Sequence, residues 1–210
     1  MDFTLWFDSP GTGLTPLILA SLQVPGVHNV RNAAAVLALL HQMRLPLDQA
    51  AEALQAYSGT GRRFDLRGEA SGVIIINDYA HHPTEIRTTL AAARQRYPDR
   101  RIWAIWQPHT YSRTQALLEA FAAAFKDADR VIVTEVYAAR EHTTAFSSLQ
   151  VVQRMDHPGV RFSPTLPDTV HQLVSDVRPG DVVLVLSAGD ADQVSEELFI
   201  ELKHREVTHG

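Results

Sequence analysis

The stretch that most constrains how this chain can fold is Gly72-Val-Ile-Ile-Ile-Asn-Asp-Tyr-Ala-His-His-Pro-Thr-Glu-Ile86. Val73, Ile74, Ile75 and Ile76 form an unbroken β-branched run, the pattern of a strand buried on both faces. The polar pair Asn77 and Asp78 ends it. Pro83 suits the first position of a helix, where its missing N–H costs nothing, and Glu85 in the first turn complements the helix dipole. That helix runs to about Arg96. Asp78, Tyr79, His81 and His82 therefore lie between a strand end and a helix start, where open α/β sheets bind ligands. A carboxylate, two imidazoles and free helix N–H groups suit a ribose, a phosphate chain or a metal. Such a turn also serves capping alone, and paired loop histidines are commonly just solvated.

From residue 73 onward the rhythm is strand, helix, strand, helix. The pattern predicts strands over 102–106, 130–133, 160–162 and 181–186, and helices over 112–125, 147–155, 167–177 and 191–202. Such alternation predicts an α/β fold: a Rossmann-like, mostly parallel sheet with helices on both faces. Three further polar turns follow buried strands. They are Gln107-Pro-His-Thr-Tyr-Ser-Arg-Thr114, Thr134-Glu-Val-Tyr-Ala-Ala-Arg-Glu-His142 and Ser187-Ala-Gly-Asp190. Arg113 falls near a helix N-terminus, where a cation has the wrong sign for the dipole unless an anion or solvent compensates. Four polar turns at the C-terminal ends of one sheet's strands point to a shared crevice.

Upstream, residues 1–26 read as two strands, 3–7 and 15–24, around a turn over 8–13. Gly11-Thr-Gly13 is not a phosphate-binding P-loop, because Leu14-Thr15 stands where that motif needs Lys-Ser/Thr. A helix follows over 27–40, with Asn29 and Asn32 three apart on one face. Asparagine amides match the N6/N7 edge of adenine, but Asn29 taken alone is better read as an N-cap. A second helix covers 46–57. Ser58-Gly-Thr-Gly61 reads as a linker, dividing the chain into 1–58 and 59–210. Arg62 and Arg63 after that glycine turn suit a phosphate or a solvated turn equally. The strand that follows them forms a hairpin with the 73–76 strand.

The 210 residues carry a formal charge of −5 with a pI near 6.0 and no basic block, which argues against a nucleic-acid surface. With no cysteine, disulfides and cysteine–zinc sites are excluded. No apolar run reaches membrane-spanning length and no signal peptide is visible, so a soluble cytoplasmic protein without a membrane partner is expected.

Gly26-Val-His-Asn-Val-Arg-Asn32, Gly59-Thr-Gly-Arg-Arg-Phe64, Asn77-Asp-Tyr-Ala-His-His-Pro-Thr-Glu85 and the Gln107–Thr114 stretch occur here in the order seen in the Mur ligases. The chain resembles that family over nearly its whole length. The Gln-Pro-His stretch is most similar to the branch that adds L-alanine to UDP-N-acetylmuramate. The resemblance implies that residues 1–58 are the end of a central ATP-binding domain, a small β-hairpin with helices, and that 59–210 are the complete C-terminal domain. It implies ATP and Mg²⁺ as cofactors, with most Mg²⁺ ligands upstream of this chain. His28, Asn29 and Asn32 would face adenine. Arg63 would lie near the ATP phosphates, Asp78 would hold the ribose hydroxyls, and His81 would lie close to the phosphates. His109 and Arg113 would position the amino acid or the acyl phosphate. Thr110 stands where the family usually has arginine, and Ser187-Ala-Gly-Asp190 replaces its usual Gly-Ala-Gly-Asp.

The implied chemistry is activation of the muramate carboxylate as an acyl phosphate, which the amine of L-alanine then attacks. Because the P-loop lysine and the UDP-sugar domain are missing, this chain alone is expected to be inactive. Two alternatives stand beside it: a ligase that attaches a recycled murein peptide, and a stand-alone nucleotide or amino-acid binding module. Open strand edges near the N-terminus also suggest self-association.

Overall fold

A computed structural model describes residues 1–9, 11 and 13–209. Pro10 and Thr12, in the turn expected over 8–13, lie outside the described residues. The chain divides into two compact units, Met1–Thr60 and Gly61–Gly210. In the first, β1 (Asp2–Ser9) and β2 (Gly13–Ser21) pair antiparallel, with a register shift between Leu5 and Trp6. Helices α1 (Val27–Gln42) and α2 (Leu47–Ala56) follow. Leu22, Val24 and Ala33 form a small core with Phe3, Val30 and Leu54 packed against it.

The second unit holds β3 (Asp65–Ala70), β4 (Val73–Asp78), α3 (Pro83–Arg96), β5 (Ile102–Trp106), α4 (Tyr111–Ala116), α5 (Leu118–Ala122) and β6 (Arg130–Thr134). Then come α6 (Leu149–Val152), β7 (Val160–Ser163), α7 (Leu166–Asp176), β8 (Val182–Leu186) and α8 (Asp192–His209). The six strands order as β3-β4-β8-β5-β6-β7. Only the β3–β4 hairpin is antiparallel; the other pairs are parallel. Every residue of β4, β5 and β8 is buried, as a parallel sheet covered on both faces requires. One apolar layer, with Ile74, Ile76, Trp106 and Leu184, meets Leu90 of α3 and Phe121 of α5. The other, with Ile75, Trp103, Ile105 and Val183, meets Leu173 of α7 and Leu198 of α8. Alternation along each strand sends neighbouring side chains to opposite layers.

Two expected helices come out differently. The helix expected over 112–125 breaks at Leu117 (φ −114°, ψ 21°) into α4 and α5. Propensity favours continuity there, so packing decides: Phe121 stacks on Trp106 at 4.6 Å and Phe125 lies 5.4 Å away. The helix expected over 147–155 shrinks to α6. Its leading serines are spent on Glu135, which accepts from Ser147 Oγ at 2.6 Å and Ser148 N at 3.0 Å. Among the described residues no helix is long and apolar enough to cross a membrane.

At the N-terminal end of the sheet, Asp181 is 4% exposed and carries a concentrated load. Its carboxylate accepts from Arg101 Nε (3.0 Å) and Nη2 (2.6 Å), Trp103 Nε1 (3.0 Å) and Arg178 N (2.9 Å). Removing one member of such a buried, hydrogen-bonded pair leaves the others unpaired, at about 3–5 kcal/mol. Asp181→Ala should lower unfolding free energy by about that amount in urea titrations, and by far more than Glu119→Ala, whose exposed pairing with Arg154 is worth about 0–1 kcal/mol.

Candidate functional site

The C-terminal strand ends are level. Asp78 and Trp106 both pair with Leu186, Ser187 N donates to Asp78 O at 3.0 Å, and Gln107 N donates to Leu186 O at 3.1 Å. Everything polar at this edge is built on that alignment. Asp78, 7% exposed, accepts from Phe64 N through Oδ2 and from Ala80 N through Oδ1, each at 2.8 Å. Burial raises its pKa above the ordinary 3.8, against the pull of those N–H groups and of Arg63. The carboxylate thus anchors the Gly61–Phe64 turn, in which Arg62 (φ 58°) and Phe64 (φ 49°) both adopt left-handed backbone.

His82 is a cap. Its Nδ1 accepts from Thr84 N at 3.3 Å, and Glu85 Oε2 accepts from the N–H groups of His81 (3.0 Å) and His82 (3.1 Å), a capping box completed by Pro83 at the first position. His81 is held differently. Its Nδ1 lies 2.9 Å from Tyr79 O. A carbonyl can only accept, so Nδ1 carries the proton of that bond, and a neutral ring leaves Nε2 as an acceptor.

Gln107, 5% exposed, is the knot between β5 and the turn after β8. Its Oε1 accepts from Ser187 Oγ (2.8 Å) and Ala191 N (3.1 Å), and its Nε2 donates to Asp190 Oδ1 (2.7 Å). Ala191 N–H is only a donor, which sets the amide's orientation. Gly189 has no room for a side chain: a Cβ would sit 2.5 Å from Gln107 Oε1 and 2.6 Å from Tyr137 Cγ. Arg62 Nη2 donates to Ser187 O (2.8 Å) and Gly189 O (3.1 Å). Arg62 therefore braces the site, whereas Arg63 is exposed and lies 5.8 Å from the Tyr79 ring.

Next to this knot the rings of His81 and His109 lie 6.1 Å apart, and Tyr137 is 5.7 Å from His109. Tyr137 N donates to Pro108 O (2.8 Å) and Thr110 N to Tyr137 O (2.9 Å). Thr110 has φ 68° and ψ 140°, close to a region that is essentially glycine-only and costs of order 1–3 kcal/mol for a β-branched residue. His109 Nδ1 and Arg113 Nη1 are buried and make no hydrogen bond. Burial, and then repulsion from Arg113 and His81, hold the His109 pKa below the usual 6.5. The Arg113 guanidinium is a donor in any state, so its unpaired nitrogen suits an oxyanion, and the neutral His109 ring adds a donor there in the tautomer that protonates Nδ1. Among the described residues no three His, Asp or Glu side chains group as a metal site.

His28, Asn29 and Asn32 belong to the first unit. Gly26, not Asn29, occupies the N-cap position of α1; Asn29 Nδ2 reaches back to Pro25 O at 2.7 Å. His28 is half-buried and Asn32 exposed. In the second unit the structure brings Asp78, His81, His109 and Arg113 to one sheet edge, with Arg63 at its rim. Sequence reasoning overlooked Gln107, Tyr137 and the bracing role of Arg62. A glutamine directly after a five-residue buried strand is a signal that could have flagged Gln107.

This fold and edge cluster define an α/β domain whose strand ends gather an arginine, two imidazoles and a buried carboxylate at one edge. A family profile described as "Mur ligase, glutamate ligase domain" matches residues 62–189. The chain belongs to the Mur ligase family. It is 44% identical to a UDP-N-acetylmuramate–L-alanine ligase of Roseiflexus sp. over 209 residues, covering 97% of this chain and 44% of that relative. A crystal structure of the UDP-N-acetylmuramate–alanine ligase of Thermotoga maritima superposes with a TM-score of 0.74 at 30% identity, covering 91% of this chain and 41% of that one. A murein peptide ligase of Psychrobacter arcticus superposes at 0.67 and 25% identity, covering 96% and 42%. The chain thus spans less than half the length of these relatives.

The depressed pKa of His109 makes a signed prediction. Arg113→Ala removes one repelling charge but not the burial, so the His109 pKa should rise part-way toward 6.5 in NMR titrations of the ring. Because the folded-state value is depressed, the stability tied to His109 is present above 6.5 and lost as pH falls through 6.5 toward the folded value. Arg113→Ala should narrow that window.

Proposed function

We propose that this chain is the C-terminal, nucleotide-closing part of an ATP-dependent ligase that joins L-alanine to the carboxylate of UDP-N-acetylmuramate in peptidoglycan precursor synthesis, acting in the cytoplasm. The observation that carries this reading is the pair of buried, unbonded nitrogens, His109 Nδ1 and Arg113 Nη1, at the strand edge of a chain 44% identical to such a ligase. In this reading residues 1–58 are the end of the central domain and 59–210 the C-terminal domain. Bound ATP supplies the phosphoryl group that activates the carboxylate. Arg113 offsets oxyanion charge, most effectively where water is excluded, and the neutral His109 ring positions the same group by hydrogen bonding. His81, whose ring lies 6.1 Å from that of His109, borders the same space. Asp78 keeps for the ribose hydroxyls the lone pairs that Phe64 and Ala80 leave. Arg63 stands near the phosphates, and His28, Asn29 and Asn32 serve adenine. Mg²⁺ would be held by residues upstream.

The alanine reading is preferred to murein-peptide ligation because the alanine-adding structure is the nearer in both TM-score and identity. The test is a chimera in which this chain replaces the matching C-terminal part of the Roseiflexus ligase. Alanine-dependent phosphate release with UDP-N-acetylmuramate is expected. A folded chimera that uses only a tripeptide, or no amine, would overturn the proposal. Arg113→Ala in the chimera should lower kcat/KM for alanine about 10- to 100-fold, the loss of a charge-assisted hydrogen bond, with less change in the KM for ATP. The purified chain alone should release no phosphate, since it has no Gly-x-x-x-x-Gly-Lys-Ser/Thr.

We also propose self-association of the isolated chain. Trp6, Leu14 and Leu19 are 54%, 68% and 68% exposed and share one face of a two-stranded pair whose outer backbone edges are also open, an apolar surface of the kind that finds a partner. Sedimentation equilibrium should show a dimer that Trp6→Lys weakens; a monomer at high concentration would reject it.

A further inference from the structure

The polar loop after β6 runs from Glu135 to His142. Two strands of contact join it to the segment that carries His109 and Arg113. Tyr137 exchanges backbone hydrogen bonds with Pro108 and Thr110, at 2.8 and 2.9 Å, as a one-residue parallel bridge. Further along, the Glu141 carboxylate takes both donors of Ser112: Oε2 accepts from Ser112 N at 3.0 Å, and Oε1 accepts from Ser112 Oγ. Between these ties Ala139 adopts φ 54°, which turns the loop back onto α4.

The head of α4 needs that second tie. The helix has six residues, too few to stand by propensity, and its own N-cap, Thr110, makes no side-chain capping bond. The orphan N–H at its first turn is therefore satisfied from another strand's loop. Arg113 is the next residue, and its Nη1 is among the buried nitrogens left without a partner. We propose that Glu141 is a positioning residue: it staples the Tyr137–Glu141 loop to the head of α4 and so sets the aim of Arg113 and His109. The proposal rests on the ligase reading only in naming the oxyanion that those two side chains face. Ser112's hydroxyl and N–H hold the Glu141 carboxyl below the usual carboxylate range, so it is ionised at neutral pH. Both of its oxygens are engaged, which leaves it no direct part in acid–base chemistry.

Charge and positioning make opposite predictions here. A carboxylate beside an anion site weakens that site electrostatically, so by charge alone its removal should tighten anion binding. A staple predicts the reverse. The experiment titrates the intact chain with inorganic phosphate and follows the ring resonances of His81 and His109. Glu141→Ala should bind phosphate about fivefold more weakly than wild type, the scale of one net hydrogen bond. Glu141→Gln, which loses the charge but keeps an acceptor for Ser112, should bind as well as wild type or better. Equal or tighter binding by Glu141→Ala would overturn the proposal.

A second measurement separates this from failure of the ligase reading. Amide exchange at Ser112 and Arg113 should accelerate in Glu141→Ala and stay slow in Glu141→Gln, with β5 amides unchanged in both as the folding control. Unchanged exchange at Ser112 would refute the staple whatever phosphate does. Absence of any phosphate response in wild type, with accelerated exchange in Glu141→Ala, would count against the anion site and leave the staple standing.

Discussion

The structure of the second unit depends on the last strand lying in the middle of the sheet. β8 is threaded between β4 and β5, and its backbone bonds to both bring Asp78, Trp106 and Leu186 level. From that alignment Gln107 can reach Ser187, Asp190 and Ala191 with one amide, and Arg62 can reach the carbonyls of Ser187 and Gly189. A slip of one residue would move every side chain of β8 to the other layer and separate these groups. The cost of such a slip is high because all five residues of β8 are buried.

On that frame the polar edge has a division of labour. Some groups are spent on holding backbone: Asp78 on the turn before β3, His82 and Glu85 on α3, Arg62 on the turn after β8. Others keep unsatisfied capacity, chiefly His109 and Arg113. Leaving a buried polar atom unpaired costs about 1–3 kcal/mol. Thr110 adds strain beside them. Asn77 Oδ1, Arg100 Nη1 and Trp106 Nε1 are likewise buried without a partner, and what sets His109 and Arg113 apart is that they flank the strained Thr110 at the strand edge.

Much of this was legible in the residues. The β-branched run at Val73 required a buried strand, Pro83 and Glu85 required a helix start, and their succession required a polar turn at a strand end. The order of the four motifs, with Gln107-Pro-His109 after the next strand, identified the family. Legibility failed where two neighbours competed. Arg62 and Arg63 are chemically identical, and only the left-handed backbone at Arg62 and Phe64 turns one inward and leaves the other exposed. The helix expected over 112–125 failed for a similar reason: local propensity is uniform along it, and the break at Leu117 answers to Trp106, on a different element.

By itself, then, the sequence determined what is local: which segments are buried strands, where helices start, and which side chains stand at strand ends. These follow from side-chain periodicity and capping chemistry within a few residues of each position. Only the tertiary structure decided which groups are consumed and which stay available. That Glu141 serves Ser112, that Arg62 is spent on the carbonyls of Ser187 and Gly189, and that Gly189 must lack a side chain all rest on contacts between segments distant in the chain. The sheet order sets those contacts, and the position of β8 within it is fixed only when burial on both faces is satisfied for the whole domain at once.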